Sequence, residues 1–278
     1  MRMSQEIELV GKIGSMALIR REDLDIDYNI FSRLGHDLHP GMIWVSSGAT
    51  EIGRLDYMRR NGGEVLHGDS EEDKSDYAAQ GQSILMENYR RYIDPKYSVR
   101  QLLVEHTHFN DPVKREQIKS FLLRQPRQGA VPIINYNDPV SFEENRRMEL
   151  ATLRHQGMRE VVECVDNDET ASVIARLVRA KLLVIMTSVE GIYRDPADPS
   201  TLVGEITGRD AQAVVENIRA MQQRCVGASR AGAGGARAKL EFIVEPVCAG
   251  TTVIIGHARH RLQDLVAGRV PCTRVGCW

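Results

Sequence analysis

The sequence predicts an α/β protein with a doubly wound sheet, and two observations predict it. Apolar runs alternate with amphipathic helical stretches almost from end to end, and several of those runs are continuously hydrophobic. Continuous runs suit parallel strands buried on both faces, and the helices between them supply the covering layers.

The expected strands are Ile7–Ile13, Met42–Val45, Gln101–Val104, Val131–Ile134, Leu182–Met186 and Thr251–Ile255. Helices fall between them. Ile26 to Leu38 sets Ile30, Phe31, Leu34 and Leu38 on one face, and Asp111-Pro112 reads as an N-cap with proline in the first turn of a helix through Leu123. Asp168 to Ala180 places Val173, Ile174, Leu177 and Val178 at helical spacing, and Arg209–Met221 is a fourth helix whose polar residues form a solvated face. Asn61–Asp76, rich in glycine and acids, reads as an exposed excursion or lid. No repeat or composition break divides the 278 residues, so a single domain over 1–278 is expected.

Hydrophobic residues make up 42% and charged residues 27%, with a formal net charge of −2. That is an ordinary globular composition, and its charge balance gives no reason to expect nucleic acid or an anionic membrane as partner. No apolar run approaches the roughly 20 residues of a membrane span, and the N-terminal stretch has no apolar core of a secretory signal. Cysteines at 164, 225, 248, 272 and 277 show neither a disulfide framework nor a paired zinc pattern. Reduced thiols and a cytoplasmic location are expected. His106 with His108, and His257 with His260, read as surface residues, since two histidines without a third ligand make a poor metal site.

An open α/β sheet binds ligands beyond the carboxyl ends of its strands, so the strand-to-helix junctions come next. Gly11-Lys12-Ile13-Gly14-Ser15 follows the first strand; its glycines open the backbone to a phosphate and its lysine supplies charge. It is not a Walker A loop. Ser46-Ser47-Gly48-Ala49-Thr50 places small residues at a helix start, where exposed N–H groups suit an anion. Asn135-Tyr136-Asn137-Asp138 ends a buried strand in polar groups, one of which, Asp138, could hold an ammonium; a plain turn has the same composition.

Val165-Asp166-Asn167-Asp168 opens a helix with three Asx residues where one suffices for a cap, which leaves an acid to orient cations and an amide to touch substrate. Thr187-Ser188-Val189-Glu190-Gly191 closes another buried strand, and Gly232-Ala233-Gly234-Gly235-Ala236-Arg237-Ala238-Lys239 is a glycine-rich loop entering a helix, a plausible phosphate clamp. Taken singly, each of these segments is weak.

Their order is not. GKIGS, SSGA, AAQGQ at Ala78–Gln82, PIINYND, DNDE, TSVEGIY and GAGGARAKL resemble, in sequence order, the signature blocks of the glutamate 5-kinases, a family of the amino-acid-kinase superfamily. The resemblance covers roughly residues 7 to 256. It implies a three-layer αβα sandwich with a central, mostly parallel sheet, ATP and Mg²⁺ as cofactors, and phosphorylation of the γ-carboxylate of glutamate to glutamyl 5-phosphate, a step of proline biosynthesis. It also implies a homo-oligomer.

By that resemblance Lys12 and Lys239, both expected in loops, contact the transferred phosphoryl group, and Asp168 organises them. Ser47, Asp138 and Asn167, with Gly48 and Ala49, would hold glutamate. Lys12, Gly14, Thr187, Ser188, Gly191, Ala233, Gly234, Gly235 and Lys239 would hold ATP. The chain departs from the family pattern at Ser188, where an acid is usual, and at Ala233 and Arg237 in the glycine-rich block; a form lacking the C-terminal accessory domain of many relatives is expected. A kinase of the same fold with a nucleoside monophosphate or phosphonate acceptor, and a non-catalytic binding or storage protein, are the alternatives. The set Ser47, Asp138 and Asn167 favours an amino acid, and two retained lysines with their acid favour catalysis.

Overall fold

Each continuous apolar run becomes a strand of one sheet. The computed structural model describes residues 7–20, 22–158, 161–164, 166–224 and 235–277. Its strands are β1 (Leu9–Ile13), β2 (Ile19–Arg20), β3 (Asp25–Ile26), β4 (Met42–Ser46), β5 (Ser98–Val104), β6 (Ala130–Tyr136), β7 (Leu182–Thr187), β8 (Glu205–Thr207), β9 (Thr252–His257) and β10 (Cys272–Gly276). The helices are α1 (Tyr28–Asp37), α2 (Ala49–Arg60), α3 (Ser70–Tyr92), α4 (His106–Asn110), α5 (Pro112–Arg124) and α6 (Glu143–His155). They continue as α7 (Asn167–Val178), α8 (Ala211–Arg224), α9 (Gly235–Phe242), α10 (Val244–Cys248) and α11 (Leu262–Val266).

Eight strands form the sheet in the order β5-β6-β4-β1-β7-β9-β10-β8, while β2 and β3 pair separately. From β5 to β9 every pairing is parallel; β10 runs antiparallel to β9, and β8 follows β10. Strand residues alternate between two cores. Val10, Ile43, Val45, Leu183, Ile185, Val253 and Ile255 face the layer of α5, α7, α8, α9 and α10. Leu9, Ile13, Trp44, Val184, Met186 and Ile254 face α1, α2, α3 and α11. Both faces are dry, which is why these runs show no polar alternation. The result is the expected three-layer αβα sandwich.

Strand β1 lies between β4 and β7, with Lys12 opposite Val45 and Ile185. From β1 the chain adds β4 on one side and later β7 on the other, so β1 marks the topological switch point, where a crevice opens beyond the carboxyl ends of the strands.

The caps follow the sequence closely. Asp27 accepts from the N–H groups of Asn29 and Ile30, so the first helix begins at Tyr28 and not at Ile26, which pairs in β3. Asp111 accepts from Val113 and Lys114, with Pro112 in the first turn. Two expectations are corrected. Asn61–Asp76 is not one excursion: only residues 61–69 form a loop, and Ser70–Asp76 begins the 23-residue α3. Its acids Glu71, Glu72 and Asp73 sit in the first turn, where the helix dipole favours them. His106 is not on the surface; it is 2% exposed.

Candidate functional site

At the end of β1 the side chain of Lys12 is 9% exposed, and its Nζ lies 2.6 Å from Asp168 Oδ1. Lys239, on α9, places its Nζ 2.7 Å from Asp168 Oδ2. Neither lysine is in a loop: one closes a central strand and the other sits in a helix, so both ammonium groups are fixed by regular structure. Burial alone would push the Asp168 carboxyl up; the two lysines outweigh it and hold it below the usual carboxylate range.

The three Asx residues divide their work as the excess over capping suggested. Asp166 is the cap, accepting from the N–H groups of Asp168 at 2.8 Å and Glu169 at 3.0 Å. Burial and the neighbouring Asp168 charge push its own carboxyl up. Asn167 points the other way, its Nδ2 donating to Ser47 Oγ at 3.1 Å and Asn135 Oδ1 at 2.8 Å. Asn135 in turn donates to Gln82 Oε1 at 2.8 Å. A chain of amides thus links α7, β6 and α3 across the mouth of the crevice. Within it Asn167 Oδ1 and Gln82 Nε2 are buried with no hydrogen-bond partner among the described residues. Buried amides normally pair, so one free acceptor and one free donor in the same crevice fit a polar ligand.

Gly48 sits between β4 and α2 with φ at 108°, a left-handed conformation that favours glycine, and it gives the helix no side-chain cap. The first N–H groups of α2, from Ala49 on, therefore stay open to an anion. The glycines of the first junction differ in role. Gly11 lies inside β1, where a Cβ would come 2.0 Å from the Trp44 ring, so packing demands it. Gly14 is the one at the crevice: its N–H donates to Met186 O, and a Cβ there would stand 3.7 Å from Lys12 Nζ.

Thr187 ends β7 and Ser188 is exposed beside it. Gly191 is pressed against Thr273, whose Oγ1 a Cβ would approach to 2.4 Å, so its place is explained by packing. Gly235 opens α9, while Ala233 and Gly234 lie outside the described residues. Asp138 follows β6, half-buried, and among the described residues no hydrogen bond or ion pair ends on its carboxylate. Burial pushes that carboxyl up to about 6.

The structure brings Lys12, Asp168, Lys239, Asn167 and Ser47 together directly, with Gly14 and Gly48 on the same strand ends. Asn135 and Gln82 belong to this network but carry no role in the sequence reading. Both lie within blocks that resemble the family, and their linkage depends on α3 crossing the mouth of β6, which no local pattern encodes.

Comparison with known proteins decides the family: the model of the amino acid kinase family matches residues 9–257. The chain belongs to the amino acid kinase family. Membership makes it an ATP-dependent kinase, the class the sequence points to. A glutamate 5-kinase of Herpetosiphon aurantiacus is 31% identical over 96% of the chain and 68% of the relative. One of Halalkalibacterium halodurans is 28% identical over 96% of the chain and 67% of the relative. The chain thus spans about two thirds of their length. Among solved structures, carbamate kinase from Giardia lamblia bound to AMP-PNP superposes with a TM-score of 0.61 at 13% identity, covering 98% of this chain and 99% of that one. That likeness shows the family fold.

Proposed function

We propose that the chain phosphorylates a carboxylate with ATP, and that the acceptor is the γ-carboxylate of glutamate. The observation that carries this reading is the bridge Lys12–Asp168–Lys239, two ammonium groups held by one buried carboxylate at the switch point of the sheet. Two cations on one anion leave net positive charge where a phosphoryl group in transfer spreads negative charge.

A carboxylate acceptor is already ionised, so the reaction needs no strong base. An acceptor oxygen attacks the γ-phosphorus in line, the bond to the β-phosphate oxygen breaks, and ADP leaves with that electron pair. Alignment does most of the work. The open N–H groups of α2, Gln82 Nε2 and the Ser47–Asn167 pair surround the side where the acceptor would lie, and Asp138 provides an anion for its ammonium.

Among the described residues no three His, Cys, Asp or Glu side chains gather to hold a metal ion, and each Asp168 oxygen lies at ion-pair distance from a lysine. Mg²⁺ would therefore enter on the β- and γ-phosphates and supply the remaining neutralising charge there. The two glutamate 5-kinases that align over 96% of the chain support glutamate as acceptor.

The test is direct. Purified protein with Mg-ATP and a panel of glutamate, aspartate, carbamate and nucleoside monophosphates is assayed for ADP release, with hydroxylamine trapping of acyl phosphate. A glutamate-dependent hydroxamate is expected; ADP release with another acceptor and none with glutamate would overturn the assignment.

A further inference from the structure

Ser46 breaks an apolar row. Its neighbours on that face of the sheet, Trp44, Ile13 and Met186, pack in the core beneath α1, α2 and α3, yet Ser46 is a hydroxyl wholly removed from solvent. A buried hydroxyl needs partners, and here they form a chain. The indole N–H of Trp44 donates to the Tyr89 hydroxyl at 3.0 Å, Tyr89 donates to Ser46 Oγ at 2.8 Å, and Ser46 donates to the Ser47 carbonyl at 3.0 Å. An indole can only donate, so the first link sets the sense of the rest. Burial pushes the Tyr89 phenol up, so it keeps the proton that it donates. Tyr89 alone would satisfy the indole. The further link through Ser46 leads out of the core to the turn at the crevice.

That link fixes a peptide plane. Ser47 is held at three points: its N–H donates to Ile13 O at 3.1 Å, its Oγ accepts from Asn167, and its carbonyl accepts from Ser46. The Ser47–Gly48 bond is trans, and in a trans peptide the N–H points away from the C=O. With the carbonyl turned to Ser46 on the α3 face, the Gly48 N–H is directed to the opposite face. Val10 and Lys12, two residues apart on β1, share that face, and there Lys12 meets Asp168 of α7. Among the described residues the Gly48 N–H donates to no group. Glycine has no side chain to resist a flip of this peptide, so the Ser46 hydroxyl is what holds its direction.

We propose that Tyr89 and Ser46 are positioning residues for the transfer: with Trp44 they hold the Ser47–Gly48 peptide so that the Gly48 N–H faces an oxygen of the phosphoryl group between Lys12 and the acceptor. This rests on the reading of the Lys12–Asp168–Lys239 crevice as the place of transfer, and not on which acceptor is bound. Both residues are buried and touch no substrate; they act through the backbone.

The experiment compares wild type with Tyr89→Phe, Ser46→Ala, the double variant Y89F/S46A and Ser46→Thr. Phe31→Leu is the packing control, because Phe31 meets the Tyr89 ring edge-on at 5.2 Å and is no link in the chain. ADP release with Mg-ATP is measured on the panel of glutamate, aspartate, carbamate and nucleoside monophosphates, and melting by calorimetry. Tyr89→Phe and Ser46→Ala should each lower kcat by roughly 10-fold, the scale of one hydrogen bond. The acceptor KM should stay nearly unchanged, as it does when an interaction made only in the transition state is lost. The double variant should lose no more than Ser46→Ala, since both residues act through one contact. Ser46→Thr keeps the hydroxyl and should keep most of the turnover. Phe31→Leu should melt lower with its kcat retained.

Wild-type kcat in folded Tyr89→Phe and Ser46→Ala would overturn the inference. So would losses that multiply in the double variant, or an equal kcat loss in Phe31→Leu at a matched drop in melting temperature. Turnover with another acceptor and none with glutamate would overturn the acceptor reading alone, and the same comparison would then be made with that acceptor. No ADP release with any acceptor would overturn both.

Discussion

At the residue scale, the lysines show how placement changes an expected outcome. Lys12→Ala or Lys239→Ala should each lower kcat by roughly 10²-fold or more, the usual loss when a preorganised charge at the reacting centre is removed. Loop lysines would cost no stability. Lys12 is instead buried in a central strand, and its loss leaves Asp168 with one cation. Breaking a buried pair typically costs about 3 kcal/mol or more, so Lys12→Ala should also melt lower in calorimetry, and more so than Lys239→Ala, whose lysine is the more exposed of the two partners of Asp168. Asp138 gives a prediction of opposite sign. Burial raises its carboxyl to about 6, above the ordinary 3.8, so the folded state favours the protonated form. The stability this lends is full below about pH 4 and is lost as pH rises through about 6. Asp138→Asn should therefore melt higher than wild type at pH 8 and no higher at pH 4. The same carboxylate must be ionised to hold an ammonium, so the wild-type glutamate KM should climb as pH falls below about 6, a limb that Asp138→Asn lacks because its KM is already high. A glutamate KM flat between pH 5 and 8 in wild type would remove Asp138 from the acceptor site.

At the scale of elements, legibility follows burial. Strands β1, β4, β6, β7 and β9 are dry on both faces and announce themselves as apolar runs, and α1, α5, α7 and α8 have caps or apolar faces that place them within a few residues. Helices α2 and α3 are harder because their contact is made by backbone: a Cβ on Gly81 would fall 1.8 Å from Ala49 O, and one on Gly53 1.8 Å from Tyr77 O. The AAQGQ block thus encodes a close helix crossing that hydrophobic periodicity cannot reveal. Helix α6 buries only Leu150, so its sequence carries no apolar face to announce a helix. The Asx run at the start of α7 was legible as more than a cap, since one cap cannot use three polar side chains. It carries its own prediction. Asp166→Ala removes a cap worth about 1 kcal/mol, yet it also frees the turn that aims Asn167 and Asp168 to opposite sides. The kcat loss should exceed anything that a small drop in melting temperature explains. Asp166→Asn keeps the cap, removes a charge beside Asp168 and should retain most activity; equal losses in the two variants would mean that the charge matters and the cap does not.

At the scale of the whole molecule, a parallel sheet could be inferred from its apolar runs but its strand order could not. The three-residue β8 and the mixed β10 carry too little pattern to register, and the register that brings Lys12 beside Asp168 depends on β1 standing between β4 and β7. That topology puts the proposed acceptor groups Ser47, Asn135 and Asp138 on the β4–β6 side of Lys12, and Thr187 and Ser188 on the β7 side. The charge within this division is sparse. Two lysines share one carboxylate, and the β7 end offers an exposed serine and no acid at that position. One net positive charge cannot balance a bound triphosphate, whose anionic oxygens converge on the same point. On the proposed reading the missing charge arrives with the nucleotide; among the described residues no three His, Cys, Asp or Glu side chains gather to hold a metal ion. ATP affinity measured by calorimetry should therefore fall at least about 10-fold when EDTA replaces Mg²⁺, and turnover should vanish, because the phosphates would lose the cation that neutralises them. Glutamate binding, on the other side of β1, should change little under the same treatment. Equal ATP affinity and equal turnover with and without EDTA would show that the lysines alone neutralise the transfer, and the division of charge between protein and nucleotide would have to be redrawn.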